Sequence, residues 1–421
     1  MKINKIIVGE KEYELKGTLN IKQMKIEIEN GIGNDLNLVN SVFNGMCMKL
    51  LSEKNERLFL KCLNIDGKIK KTIYDIEYLV IGTYNENSIS GIKEMKAFFS
   101  MPNKKNLSFE ENFLKQFIVD SSNIVITNEY ILLKGENREE IDLLDILENI
   151  LQIICIIHGC YPEVKYIEYE TLENNIKKYY KNIKSSTSIF DTMISDKIID
   201  IGVINNFDNI YNKFCKLKEK SRSMFIHSYL ALQSNNTNFI DYKLANILQV
   251  IDGFFCEFYE KKVKKFYENE RKNIDEKIKD IISFSKDHLT KFKCKKEFID
   301  SVCSSIGYVK KIDFRKYLEY IMYNFSFSRI IFRDEFNNVD ENIGKISIDK
   351  MIEMSINERN KLSHMIISNN KNYFSKDELK TYYIKYKLLY RCIIAGELGI
   401  SPDEERVEKN SNIEKNRLMY R

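Results

Sequence analysis

Arg359, Asn360 and His364 fall within one short helical stretch, INERNKLSHMI (356–366), of a chain that has only four histidines in 421 residues. An arginine presents a planar fork of N–H donors that fits an oxyanion. A histidine exchanges protons near neutral pH. Together they form the minimal kit for binding an anion and moving a proton beside it. On a helix ending near residue 366, positions 352, 355, 359, 362 and 366 share one face. Ile352, Leu362 and Ile366 are apolar, so Arg359 stands where a core residue is expected. A buried guanidinium without a partner is prohibitive, so Arg359 must meet an acid or look into a wet cleft. His364 follows five residues later, about 140° round an ideal helix. Two readings stay open on spacing alone: an anion-handling cleft, or an arginine capped by a core carboxylate with a surface histidine near a helix end.

The elements that must position these residues are legible from periodicity. The first 135 residues alternate apolar and polar side chains, as in TLNIKQMKIEIENG, NERLFLKCLNI, EYLVIGTYN and SNIVITNEYILLKG, which predicts β-strands in an antiparallel, sandwich-like sheet. Between Ile141 and His158 the period becomes helical and GCYP closes the helix. VKYIEYETL predicts one more strand. NNIKKYYKNIKSSTS (174–188) is polar and basic, and reads as a boundary region. Beyond it the pattern predicts helices at about 208–233, 240–268, 272–292, 295–305, 313–332, 348–365 and 375–398. Those near 242–258 and 379–393 carry apolar stripes suited to the core of a bundle. The fold class is therefore α+β. A β-rich domain over 1–180 precedes an all-α bundle over 205–400, and a charged, flexible tail occupies 403–421.

Composition narrows the function classes. The formal charge is +5, from 66 basic and 61 acidic side chains, which permits nucleic acid as a partner without demanding it. The nine scattered cysteines read as reduced thiols. The N-terminal MKINKIIVGEKEYELKG breaks its apolar run with charge, so no signal peptide is read, and no apolar run is long enough for a membrane span. A cytoplasmic location without membrane partners is expected. No Walker, Rossmann, GxSxG or HExxH motif occurs. Cys155, His158 and Cys160 match no standard zinc spacing, so no metal and no cofactor are expected. His227 and His288 have no catalytic partner in the sequence. HLTKFKCKK (288–296) and KKVKKFY (261–267) interleave lysines with aromatics. A solvated helix face is the default reading, and an RNA-backbone track through Lys264, Lys265, Lys291 and Lys293 the alternative.

The stretch Arg359-Asn360-Lys361-Leu362-Ser363-His364 resembles the signature of the HEPN superfamily, helical bundles with an Arg, a polar residue after it, and a His four to six residues on. ILQVIDGFFCEFY (247–259) resembles the first helix of the ApeA-like branch, and LYRCIIAGELGIS its closing helix. The region 1–180 is similar, more loosely, to the ApeA N-terminal domain. Ser363 and Met365 stand where the family commonly has Ala and Gly. The resemblance implies a metal-independent endoribonuclease in antiphage abortive infection, with tRNA as target, acting as a homodimer or higher homo-oligomer whose two motifs share a cleft. It implies Arg359, Asn360 and His364 as catalytic residues, Asp252 as the acid that orients Arg359, Lys361 as a further RNA contact, and a phage-derived trigger. The alternatives are a catalytically silent bundle for assembly or ligand binding, and a toxin with a separate regulator.

Overall fold

The structure is a computed structural model. It describes residues 1–8, 11–29, 47–53, 57–68, 71–82, 90–100, 114–119, 122–127, 129–159, 162–171, 175–180, 197–199, 204–221, 240–308, 312–338, 346–364 and 372–412. The chain divides into two compact units, Met1–Cys215 and Lys216–Arg421.

The first unit is built on twelve antiparallel strands: β1 (Lys2–Val8), β2 (Lys11–Asn20), β3 (Lys25–Glu29), β4 (Cys47–Ser52), β5 (Arg57–Lys68), β6 (Lys71–Ile81), β7 (Ile92–Ser100), β8 (Leu114–Val119), β9 (Ser122–Thr127), β10 (Tyr130–Arg138), β11 (Glu163–Thr171) and β12 (Asn175–Tyr180). Their order is β3-β2-β1-β4-β5-β6-β12-β11-β7-β10-β9-β8, and β3 also pairs with β6. The first six strands therefore close on themselves. β6 is shared between the two parts. Its Lys71–Asp75 half bonds to β3 and its Tyr78–Ile81 half to β12. A closed circuit has no exposed edge to template aggregation.

The period-two pattern is realised as alternating burial. Ser122, Ile124 and Ile126 of β9 are buried, and their neighbours are not. Helix α1 (Glu140–His158) ends as its sequence predicts, with Gly159 at φ 77°, a left-handed cap that costs glycine nothing. In its first turn the buried Glu140 accepts hydrogen bonds from the Tyr169 hydroxyl at 2.8 Å and from Lys178 at 3.0 Å, fixing α1 to β11 and β12. Asn175–Tyr180 was expected in a boundary region and is instead β12, paired on both sides. Its lysines lie beside acids, with Lys177 2.5 Å from Glu168, so a stretch that looks solvated by composition is a strand neutralised across the sheet.

α2 (Phe207–Lys220) carries the chain across the division between units. The second unit holds α3 (Ile240–Phe258), α4 (Glu260–Phe266), α5 (Glu268–Lys291), α6 (Lys296–Tyr308), α7 (Phe314–Asn324), α8 (Ser326–Ile331), α9 (Arg333–Asn337), α10 (Ile348–His364), α11 (Lys376–Leu398) and α12 (Glu404–Ser411). α11 starts at a capping box, Ser375 with Glu378, and stops at Gly399 with φ 81°. The sequence predicts one apolar stripe on α11, and all of that stripe is buried. So are Lys385, Lys387 and Arg391, because α3, α8 and α12 also pack around it. Within the stretch expected as a tail, Asp403 accepts from the Arg406 N–H and caps α12, whose Glu408 meets Arg333 of α9 at 2.6 Å. No helix among the described residues is long and apolar enough to cross a membrane.

A buried ion pair anchors α9 to α11. Lys385 Nζ donates to both Glu335 oxygens at 2.7 and 2.8 Å, and both side chains are sealed from water. Lys385→Met leaves a buried carboxylate without its counter-charge and is expected to cost roughly 3–5 kcal/mol in urea unfolding. The double variant Lys385→Met/Glu335→Leu is expected to recover much of that loss.

Candidate active site

α10 places Ile352 and Ser355 in the core, and one turn further on the same face reaches Arg359. Ser355 shows how the polar members of this face are accommodated. Its hydroxyl donates back to the Met351 carbonyl at 2.8 Å and lies 2.8 Å from the Tyr386 hydroxyl. Arg359 meets an acid on α3, where its Nη2 donates to Asp252 Oδ2 in a direct ion pair. Nη1 donates to Asn360 Oδ1 at 3.3 Å, and the guanidinium lies 5.2 Å from the centroid of the Phe314 ring on α7. Seated in this way, the Arg359 side chain is still 29% exposed, and Asp252 20%. Both conditions read from the sequence, an acid partner and contact with solvent, hold at once.

Burial pushes the Asp252 carboxyl above the usual aspartate range. The charge and hydrogen bond of Arg359 pull it down but do not cancel the desolvation, and Asp313 at the start of α7 adds a smaller upward push. Burial also raises Glu358, which precedes the arginine. There the attraction of Lys361 and a hydrogen bond from the Phe374 N–H work in the opposite direction.

Glu358 and its neighbour Asn357 secure the chain where it returns after the motif. The Phe374 N–H donates to Glu358 Oε1 at 3.2 Å, and Asn357 Nδ2 donates to the Asn372 carbonyl at 2.9 Å. Phe374 then stacks on Tyr382 of α11, with ring centroids 4.4 Å apart. Neither Asn357 nor Glu358 stood out in the sequence. A signal was present, because Glu358 continues the spacing of the buried Met351, Met354 and Ser355. Phe314 and Asp313 carried no such signal.

Of the other residues singled out, Lys361 has its ammonium 3.7 Å from Glu358 and 3.9 Å from Asp241, and 5.6 Å from the Tyr373 ring centroid. His364 is the last residue of α10, about 7.5 Å along the axis from Arg359 at 1.5 Å per residue. Its side chain, like Cys160, His227 and Met365, lies outside the described residues. Lys264 and Lys265 are on α4, Lys291 ends α5 and Lys293 lies in the turn after it. They do not sit on α3 or α10, the two helices that hold the Arg359–Asp252 pair. Lys264 is 2.5 Å from Glu260. Cys155 and His158 are buried on α1, and no cluster of metal-ligating side chains occurs among the described residues.

Within this helical bundle Arg359 pairs with an acid on α3, and Asn360 and then His364 follow it on α10. Residues 245–404 match the family model for Apea-like HEPN, and this part of the chain is an Apea-like HEPN domain. The match runs from within α3 to the first residue of α12. No curated protein and no solved structure shows a significant match. HEPN domains are generally RNases.

The raised carboxyl of Asp252 makes a signed prediction. A folded state that holds a proton more tightly than the unfolded chain loses stability as pH rises through that interval. Asp252→Asn removes this contribution. In urea unfolding across the mildly acidic range, the variant is expected to gain on the wild type as pH rises. The opposite trend would mean that the Arg359 attraction outweighs burial.

Proposed function

We propose that this protein is a metal-independent endoribonuclease that cleaves cellular RNA, with tRNA the preferred class, as the effector of an abortive-infection response to phage. The observation that carries the reading is the seat of Arg359. Its guanidinium is oriented by Asp252, flanked by Asn360 and partly open to solvent, and His364 follows it in an Apea-like HEPN domain.

In the proposed reaction His364 accepts the proton of a ribose 2′-OH, whose oxygen attacks the adjacent phosphorus. A 2′,3′-cyclic phosphate forms as the bond from phosphorus to the 5′ oxygen breaks, and that oxygen leaves with a proton as a 5′-hydroxyl. Negative charge gathering on the non-bridging oxygens is met by Arg359, while Asn360 binds phosphate or fixes the imidazole tautomer. One histidine cannot take and give a proton at the same instant. A second His364 from a partner copy supplies the acid, so the working unit is a homodimer or a larger homo-oligomer. Lys361 adds positive charge beside the motif. The β-rich unit, resembling the ApeA N-terminal domain, senses a phage-derived trigger or restrains the nuclease, and the protein works in the cytoplasm beside its substrate.

The test is incubation of the purified protein with total tRNA in EDTA, beside Arg359→Ala and His364→Ala. Fragments ending in cyclic phosphate are expected from the wild type alone, with both variants reduced at least about 100-fold, the scale of a lost acid–base group. Cleavage that needs Mg²⁺ and survives His364→Ala would sink the mechanism. Mixing wild-type subunits with an excess of Arg359→Ala/His364→Ala subunits tests the composite site. A shared cleft predicts that activity falls well below the share of wild-type subunits, whereas independent sites leave it in proportion to that share.

One observation favours a second reading, a catalytically silent bundle used for assembly or ligand binding: Asp252 already occupies an edge of Arg359. In that case Asp252→Asn destabilises the fold and no RNA substrate is cut by the wild type, with or without infected-cell extract.

A further inference from the structure

α5 and α6 form a helical hairpin whose outer face carries rings that the fold leaves open. Phe284, His288 and Phe292 follow one another at i, i+4 along α5. Phe284 and His288 stack with centroids 5.5 Å apart and planes 14° apart, and His288 meets Phe292 edge-on at 5.0 Å. Phe284 is 68% exposed, Phe292 69% and Phe298 of α6 55%, with Ile281 extending the row. The buried side of α5 is a different stripe, marked by Ile278. A row of large apolar side chains in water is costly unless something covers it.

The charge around the row indicates what covers it. Lys291, Lys293, Lys295 and Lys296 are all exposed, and no carboxylate among the described residues pairs with any of them. The turn holding them is tight. Lys293 adopts φ 53°, and the N–H groups of Lys293 and Cys294 donate to the carbonyls of Thr290 and Leu289 at 2.9 and 3.1 Å. A lysine in this left-handed conformation is strained relative to glycine. Four unpaired ammonium groups beside a ladder of open rings combine a backbone-tracking charge with stacking surfaces for bases.

We propose that the tip of the α5–α6 hairpin is a docking platform for single-stranded RNA, with bases stacking on Phe284, His288 and Phe292 and phosphates running along Lys291, Lys293, Lys295 and Lys296. It is a binding surface separate from the Arg359 site. Its use in feeding RNA to that site rests on the nuclease reading, and its occupancy does not.

The experiment measures fluorescence anisotropy of labelled single-stranded oligo(A) and of a labelled RNA duplex. The full-length protein carries Arg359→Ala and His364→Ala so that neither probe is cut. Adding Phe284→Ala/Phe292→Ala is expected to weaken oligo(A) binding about ten-fold or more, in line with stacking contributions, while leaving the duplex unaffected. Adding Lys293→Gly relaxes the turn, so the melting temperature should hold or rise, and the slope of log affinity against log salt should fall by about 0.7. Unchanged oligo(A) affinity in both variants overturns the proposal. So does a phenylalanine variant that sediments as a smaller species with RNA affinity intact, because the row is then an interface between copies. Because no probe is cut, failure here leaves the cleavage assay on tRNA untouched, and failure of that assay leaves this one.

Discussion

The second unit is organised around the difficulty of carrying charge into a packed helical bundle. Arg359 lies on a face of α10 whose earlier members are core, and Asp252 lies on α3, whose apolar stripe is buried from Leu244 to Phe255. The two charges are admissible there because they meet. That meeting fixes the register of α10 against α3. The same constraint recurs at α11, where Lys385 enters the interior only against Glu335, and the Tyr382 hydroxyl beside that carboxylate is held protonated by burial and by the negative charge. It recurs at Glu358, whose buried carboxyl is tied to the Phe374 N–H. Polar contacts in this bundle thus help decide which helices face one another, while Phe254, Phe255, Tyr386 and Tyr390 are among the largest side chains buried in its interior.

Much of this was legible in the sequence because helical periodicity is strong where a helix has one buried face. The stripe through Leu244, Ile247, Leu248 and Ile251 located α3, and Ser375, Glu378 and Gly399 are local signals that bound α11. The anomaly of Arg359 on an apolar face led to two alternatives, an acid partner or a wet cleft, and the structure gives it both. The chain could not reveal features that depend on distant partners. Lys385, Lys387 and Arg391 read as solvent-facing by residue type, and only the packing of other helices on the far side of α11 buries them. NIKKYY read as part of a boundary region because the acids that neutralise its lysines, Glu168 and Glu140, come from another strand and from α1. α12 is short, and its cap at Asp403 is a weak signal within a charged run.

The β-rich unit shows a different economy. β6 is long enough to serve two neighbours on one edge, β3 along its first half and β12 along its second, while β5 lines the other edge. Because side chains alternate with period two, a slip of β6 by one residue would invert its faces in both parts at once. The register of the closed strands and that of the open sheet are therefore set by one segment.

The bonds from Asn357 and Glu358 to residues 372 and 374 tie the approach to α11 to the turn of α10 that carries Arg359. These bonds go to the returning chain and not to the Arg359–Asp252 pair, which is a separate contact. Asn357 and Glu358 therefore act on the site at second hand, by seating the helix that presents the arginine rather than the arginine itself.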